Sequence, residues 1–332
     1  MTSPSRPILR QRRIIEWDDL RVASTHSPMS TAPGPIFLAG VDRSGIGLLG
    51  ELLEAHPDVA ISRRTNFWSF YYQRFGDLER PQNLDRCVTQ MLRYTRIQAL
   101  HPDRDDLLER VRQGQATYAR LFAALQEQHL DRLGKSRWGD KSLDAEKHAD
   151  IIFREFPNAV MLHVIRDPRD RYASQATHRR AARGEVGSGV ALWRWSVRHA
   201  RRNKSRHPGR YLVVRYEDLV TRPREVLALI CTFVGVQFTS EMLDVAFTTA
   251  SIGRYRRDLS PREIAFISLV AGRWMVDLDY AADQARLPWQ DCLLYCLIDV
   301  PRNLARMELW WIRRAWADRT ASRPSTRRLV GS

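Results

Sequence analysis

The chain has no apolar run that approaches the roughly 18–20 uninterrupted residues a membrane-spanning helix needs. No transmembrane anchor is therefore expected. Cysteine is scarce, with four in 332 residues (Cys87, Cys231, Cys292 and Cys296). Their spacing matches neither a zinc site nor a CxxC redox pair. Cys292 and Cys296 stand at helical i,i+4 spacing, which predicts buried helix positions rather than a disulfide, and so a reducing compartment. Met1–Pro35 carries arginines but no apolar stretch of signal-peptide length. The expectation is a soluble, cytoplasmic protein. Lysine is also rare. Nearly all the basic residues are arginine, a bias that a high-GC genome would produce by itself.

Acidic residues are in deficit, 38 against 53 Lys and Arg, giving a formal charge of +15. That balance favours anionic partners such as nucleotides, nucleic acid, acidic glycans or a phospholipid surface. A hydrophobic fraction of 44% is enough to build a full core.

Ser, Pro and Arg dominate residues 1–34, which read as a flexible leader. Order is expected from Pro35. Ile36–Val41 is a short apolar run of the kind that forms a buried parallel strand, Asp42–Gly47 a turn, and Leu48–His56 a helix stopped by Pro57. A short strand is predicted at Val59–Ser62, and helices from Phe67 to Leu133, whose aromatic cluster reads as core. A second unit repeats the pattern, with a helix at Ala145–Phe156, a strand at Ala159–Ile165 and a turn at Arg166–Ser174. Tyr211–Tyr216 is a third strand, followed by helices at Val226–Val234 and Pro261–Leu278. Strand and helix in alternation predict a three-layer α/β fold, a parallel sheet flanked by helices. The α/β domain is placed at 35–280 with a helical insertion at 67–133. A helical extension at 281–318 and a disordered tail at 319–332 complete the chain.

A strand, a glycine-containing turn and a helix form an architecture that holds phosphate, because free N–H groups and the positive end of the helix macrodipole meet at the helix start. Gly40–Leu49 has this arrangement without the GxxxxGK[ST] sequence of a nucleoside triphosphate loop. Arg43 and Ser44 stand in place of the lysine and the magnesium-binding hydroxyl, which suits an anion bound without metal. An ordinary turn with glycines is the alternative reading of that segment alone.

Four further segments stand in order along the chain. They are Gly139-Asp140-Lys141-Ser142, Val164–Ser174 around Arg166-Asp167-Pro168-Arg169-Asp170, Val214–Leu219, and Ser251–Arg257. Together with Pro35–Pro57, where Gly40, Arg43, Ser44, Gly45, Leu48, Leu49, Leu53, His56 and Pro57 fit PxFxxGxxRSGTTLLxxxLxxHP, they resemble the sulfotransferases that use 3′-phosphoadenosine-5′-phosphosulfate. The resemblance spans about Pro35 to Tyr280 and is strongest for the branch holding tyrosylprotein sulfotransferases and bacterial homologues. It implies a P-loop-type fold and metal-free transfer of a sulfuryl group to a hydroxyl or amine of a small molecule, lipid or glycan, leaving adenosine 3′,5′-bisphosphate. By the same resemblance the loop at Ser44, Gly45, Ile46, Gly47 and Leu48 holds the 5′-phosphate, and Arg166 and Ser174 hold the 3′-phosphate. Arg254 lies in the cofactor-closing stretch. Arg43 and Lys141 act on the transferring group.

Two departures bear on catalysis. Ile46-Gly47 replaces the usual Thr-Thr, removing a hydroxyl donor worth about 1.5–3 kcal/mol against a charged acceptor. The tyrosylprotein branch keeps a glutamate base just after the short strand, where this chain reads Ser62-Arg63-Arg64-Thr65-Asn66, and arginine cannot accept a proton. Asp140 and His56 are then the nearest candidates for a base by motif. Arg63 and Arg64 read either as a recognition element for an anionic acceptor or as a solvated basic edge. The departures also allow a second function, a nucleotide-binding scaffold or sensor without transfer. Specific nucleic-acid binding is not expected, since no binding module accompanies the charge. In the tail, Leu304, Met307, Leu309, Trp310, Ile312 and Trp316 form an apolar stripe among arginines. It reads as an interfacial membrane helix or as a helix docked on the domain.

Overall fold

A computed structural model describes residues 34–178, 184–281 and 287–320. Its centre is a five-stranded sheet, β1 (Ile36–Ala39), β2 (Val59–Arg63), β3 (Arg137–Lys141), β4 (Val160–Ile165) and β5 (Tyr211–Arg215), in the order β2-β3-β1-β4-β5. Every pairing is parallel. All four residues of β1 are buried, as a strand covered on both faces requires. Phe37 and Ala39 point to one side, into a core with Phe67, Trp68 and Phe122 from the helical insertion. Ile36 and Leu38 point to the other, against the helices Ile46–Glu54 and Pro223–Val234. The period-2 alternation of a strand thus divides one apolar run between two cores. The fold is the expected three-layer α/β arrangement.

β1 runs next to both β3 and β4, and the chain leaves it toward β2 on one side and later crosses to β4 on the other. This is the switch point of an open parallel sheet, where a crevice opens at the carboxyl ends of the strands. Loops after β1, β3 and β4 converge there.

The structure corrects several boundaries. The helix after β1 begins at Ile46, so Ile46 and Gly47 belong to its first turn and not to the preceding loop. Arg137–Lys141 is an inner strand. Its polar sequence conceals this, because the register is set by neighbours and not by an apolar run. Tyr216 opens a helix, Tyr216–Thr221, rather than ending β5. Cys292 and Cys296 are exposed, not buried, while Cys87 and Cys231 are buried, and all four thiols are free. The C-terminal helix continues to Thr320, past the start of the expected tail. All of the expected leader (1–34) except residue 34, residues 179–183, residues 282–286 of the expected extension and the tail from 321 lie outside the described residues. Among the described residues, no helix is long and apolar enough to cross a membrane.

Candidate nucleotide-binding site

The loop after β1 is shaped by residues held in positive φ. Gly40 sits at φ 139° and Gly45 at φ 101°. A Cβ on Gly45 would meet the Tyr216 ring at 2.2 Å, and one on Gly40 would meet the Val164 carbonyl oxygen at 2.8 Å. Neither position has room for a side chain, so the loop hugs β4 and the aromatic wall. Arg43 adopts φ 67°, an uncommon conformation for a residue with a Cβ.

The helix that follows makes its first backbone bond from the Leu49 N–H to the Gly45 carbonyl, 3.1 Å. The N–H groups of Ile46, Gly47 and Leu48 precede that bond and have no helical acceptor. The Ser44 N–H is different. It donates to the Val41 carbonyl at 3.1 Å, so the backbone donors available to an anion begin after Ser44. The Ser44 hydroxyl is buried without a partner among the described residues, and a buried hydroxyl of that kind is costly unless something else supplies its bond.

A cleft of about 260 Å³ opens over this helix start, lined by Arg43, Arg64, Lys141 and Arg166, with the loop residues Gly45–Leu48 and the Tyr216 ring beside them. Asp42 also lines it. Four cations against one carboxylate fit a polyanion, and the orphaned Ser44 hydroxyl fits an oxygen acceptor at the same place.

Arg166 stands at the carboxyl end of β4 and is nearly buried. Its Nη2 donates to the Ser251 carbonyl at 2.7 Å, and its guanidinium lies 4.5 Å from the Tyr216 ring centroid. Its Nε has no acceptor among the described residues. The Trp193 indole N–H donates to the Arg166 carbonyl at 2.8 Å, fixing the backbone from behind. Asp167 and Asp170 do not pair with this guanidinium. Asp167 instead forms a buried forked pair with Arg169, at 3.0 Å from Nε and 2.6 Å from Nη2. Asp170 accepts the N–H groups of Gly253 at 2.7 Å and Tyr255 at 3.0 Å, and burial raises its carboxyl above the usual range. The Tyr216 hydroxyl and Ser251 Oγ are 2.7 Å apart. The segment Ser251–Tyr255 is thereby strapped to the wall of the cleft by Arg166 just after β4, Asp170 on the helix Pro168–His178, and Tyr216 at the start of its helix.

Ser174 is buried, and its Oγ accepts the Arg43 Nε–H at 2.9 Å. The resemblance puts these residues at opposite ends of a nucleotide, but the fold brings them into direct contact. Lys141 closes the other end. Its stem runs beside Gly50, whose absent Cβ would lie 3.5 Å from Lys141 Cδ, and a Cβ on Gly47 would lie 3.9 Å from its Nζ. Burial, followed by the Arg63 and Arg64 charges, lowers its pKa. It makes no ion pair with the described residues, neither with Asp140 nor with Asp144.

Asp140 does not reach the cleft. Alternation along β3 sends Lys141 toward the loop and Asp140 to the opposite face. There Asp140 is fully buried and accepts from Ser62 Oγ at 2.9 Å and Thr65 Oγ1 at 2.8 Å. Burial pushes its carboxyl up to about 6, against the lowering effect of those bonds. It ties β2 to β3 and holds the turn in which Arg64 sits at φ 60°, with its N–H on the Lys141 carbonyl at 2.7 Å. His56 is likewise structural. It is buried, its Nε2 bonds the Gln237 carbonyl at 2.8 Å and its Nδ1 accepts the Asp58 N–H at 3.1 Å. Arg254 lies outside the cleft lining, paired with Asp258 at 2.7 Å and bonded to Thr177 at 3.3 Å.

Arg63 and Arg64 part company. Arg63 turns to Glu51 and Glu54 on the neighbouring helix, whereas Arg64 faces the cleft. Asp42 and Tyr216 are site members that sequence reasoning did not assign, and Arg64 was read with Arg63 as one of two alternatives, an anion-recognition element or a solvated edge. The tyrosine carried a signal as part of the Val214–Leu219 segment.

A model of the Sulfotransferase family matches residues 35–240. A protein-tyrosine sulfotransferase of Drosophila melanogaster is 25% identical over 249 residues, 72% of this chain and 44% of the relative. The chain therefore spans less than half the length of that relative. Among solved structures, the sulfotransferase domain from the Synechococcus PCC 7002 olefin synthase is 21% identical, with a TM-score of 0.45, over 87% of this chain and 98% of that one. A sulfotransferase from Mycobacterium avium is 15% identical, with a TM-score of 0.45, over 80% of this chain and 79% of that one.

Proposed function

Because the chain belongs to the sulfotransferase family, we propose that its cleft binds 3′-phosphoadenosine-5′-phosphosulfate and serves sulfuryl transfer to a hydroxyl or amine of a small molecule, lipid or glycan. The observation that carries this reading is the convergence of unpaired helix-start N–H groups and the orphaned Ser44 hydroxyl with Arg43, Arg166 and Lys141.

In this reading the N–H groups of Gly45, Ile46, Gly47 and Leu48 hold the 5′-phosphate, and Arg166 with Ser174 holds the 3′-phosphate. Arg43, now hydrogen-bonded to Ser174, is the residue that links the two ends. The strap Ser251–Tyr255 keeps Arg166 aligned, and Arg254 supports the strap through its pair with Asp258 rather than by touching the nucleotide. The cosubstrate supplies an activated sulfuryl group whose bond to the 5′-phosphate breaks as the bond to the acceptor forms, leaving adenosine 3′,5′-bisphosphate. Lys141 stabilises the negative charge that collects on the bridging oxygen, in a partly dry setting where a fixed cation is worth more than in water. The acceptor proton leaves to a base. Asp42 is our candidate, as the carboxylate lining the cleft. Asp140 acts through position, by fixing the β2–β3 ends that carry Arg64 and Lys141.

We take 35–280 as the transferase unit, with the helical insertion at 67–133 as a wall of the acceptor side and the C-terminal helix as the element that brings the unit to a lipid surface. Free thiols at Cys87 and Cys231 support a reducing, cytoplasmic setting. No metal is assigned a role.

Calorimetric titration with adenosine 3′,5′-bisphosphate, AMP as control, tests the reading. Micromolar binding selective for the 3′-phosphate is expected, and absence of binding by folded protein refutes it. A second reading, a nucleotide-binding scaffold, is favoured by Ile46, whose side chain is buried among apolar residues where the family carries a hydroxyl. Tight binding without turnover across an acceptor screen would select it.

A further inference from the structure

Trp289–Leu294, the π turn Tyr295–Asp299 and Val300–Thr320 follow one another without a break and form a single long helix. Its second half is docked. Asn303 and Met307 are buried, Trp310 and Trp311 pack on the main core, and Arg314 pairs with Asp144 at 2.9 Å. The stripe read from the sequence is thus divided, since Met307 and Trp310 face the protein while Leu304, Leu309 and Ile312 face outward.

The first half is different, because no residue of Trp289–Asp299 is buried. Trp289 and Leu297 are each 73% exposed, and Ile312 in the second half is 64% exposed. Trp289, Leu293, Leu297, Leu304 and Ile312 recur at intervals of four, four, seven and eight residues, each near whole helical turns, so they share the outer side of the helix. From Trp289 to Ile312 that side is about 35 Å long at 1.5 Å per residue. Broken only by exposed Glu308 between Leu304 and Ile312, an apolar face of this length marks an interaction surface.

The charges beside it identify the partner. Arg313 and Arg319 are exposed and make no ion pair among the described residues. The acids are mostly spent: Asp291 and Asp299 pair with Arg262 at 3.7 and 3.1 Å, and Asp318 pairs with Lys147 and Arg314. Glu308 is the exposed acid that remains. A second copy packed face to face would bring like charges together, on a chain whose net charge is already +15. An anionic bilayer complements both features, since leucines and a tryptophan enter the interface while arginines meet the phosphates.

We infer that the outer face of this helix, centred on Leu297 and Ile312, seats the protein on an anionic phospholipid surface. The contact is separate from nucleotide binding and stands or falls without it.

Co-sedimentation of the full chain with vesicles of phosphatidylglycerol and phosphatidylcholine, against phosphatidylcholine alone, tests this. Pelleting with the anionic vesicles is expected, and high salt should weaken it. Leu297→Glu with Ile312→Glu should lower the partition coefficient by at least about tenfold, and Arg313→Glu by about fivefold or more. Unchanged thermal unfolding of the variants establishes that they are folded. No pelleting of the wild type, or equal pelleting of the Leu297→Glu, Ile312→Glu variant, overturns the inference. So does a vesicle-free dimer, seen by analytical ultracentrifugation, that this variant dissociates, because the face would then belong to a second copy.

Discussion

Arg166→Ala gives the sharpest test of how the cleft reads its nucleotide. In the free protein this guanidinium already bonds the Ser251 carbonyl and lies over Tyr216. A raw loss of affinity would therefore mix a lost ligand contact with a loosened strap. A cycle over ligand and protein separates them. Adenosine 3′,5′-bisphosphate and AMP differ by the 3′-phosphate, so the ratio of their dissociation constants isolates that group. The general effect of a loosened strap, including a cation–π contact of about 0.5–1 kcal/mol, acts on both ligands and cancels. What remains is the bond from a buried guanidinium to a phosphate, about 1.5–3 kcal/mol. The wild-type preference for the bisphosphate should therefore shrink roughly ten- to a hundredfold in the variant. Calorimetry at constant salt reads both constants. Arg166→Lys should recover only part of the preference, since an ammonium cannot fork. A preference ratio unchanged by Arg166→Ala, in folded protein, would refute the assignment of the 3′-phosphate to this arginine.

Lys141→Ala should lower kcat by about 10²–10³-fold while nucleotide affinity changes little; a larger effect on binding than on kcat would move Lys141 out of its catalytic role. Asp42→Asn should lower kcat by about 10²–10⁴-fold with bisphosphate affinity retained, and full activity would remove Asp42 as the base. Gly47→Thr should tighten bisphosphate binding about tenfold or more, because a Cβ there meets nothing closer than Lys141 Nζ at 3.9 Å. Weaker binding would show that the glycine is needed for the approach of the anion. Glu217 accepts from the Asp167 N–H and the Tyr280 hydroxyl, and burial pushes its carboxyl up from 4.5 to about 7. Between those values the unfolded chain ionises while the folded one keeps its proton, so this group's contribution falls as pH rises. Relative to Glu217→Gln, the wild type should lose about 3 kcal/mol of stability from pH 4.5 to 7. Denaturant titrations with a pH-independent difference would contradict that account.

The sheet was legible where strands are apolar. Ile36–Ala39 is a continuous hydrophobic run, and Val160–Ile165 and Tyr211–Arg215 are apolar apart from His163 and Arg215; burial on both faces writes itself into such sequences. The β3 strand was not, because Arg137-Trp138-Gly139-Asp140-Lys141 gains its place from register with Ile36–Leu38 and Val59–Arg63. Asp140 shows the consequence. Its motif singles it out beside Lys141, but one step along a strand reverses the direction of a side chain, and no spacing rule could say which of the pair faces the cleft before the strand was known. The tail was left with two readings for a related reason. Helical periodicity finds an apolar stripe, but only packing tells which of its residues are docked.

By itself, the sequence determined the chemistry on offer: a phosphate-holding turn before a helix, arginine and serine eight positions apart, and a surplus of positive charge. These follow from local residue types and spacing, which act over one turn of helix or one loop. Tertiary structure decided which of those groups meet. It brought Arg43 onto Ser174 across 131 positions of sequence, buried Asp140 and His56 away from the cleft, turned Arg64 and Asp42 into it, and left one face of the last helix uncovered. Contacts between residues distant in sequence depend on how strands stack and register, and that is a property of the whole folded chain.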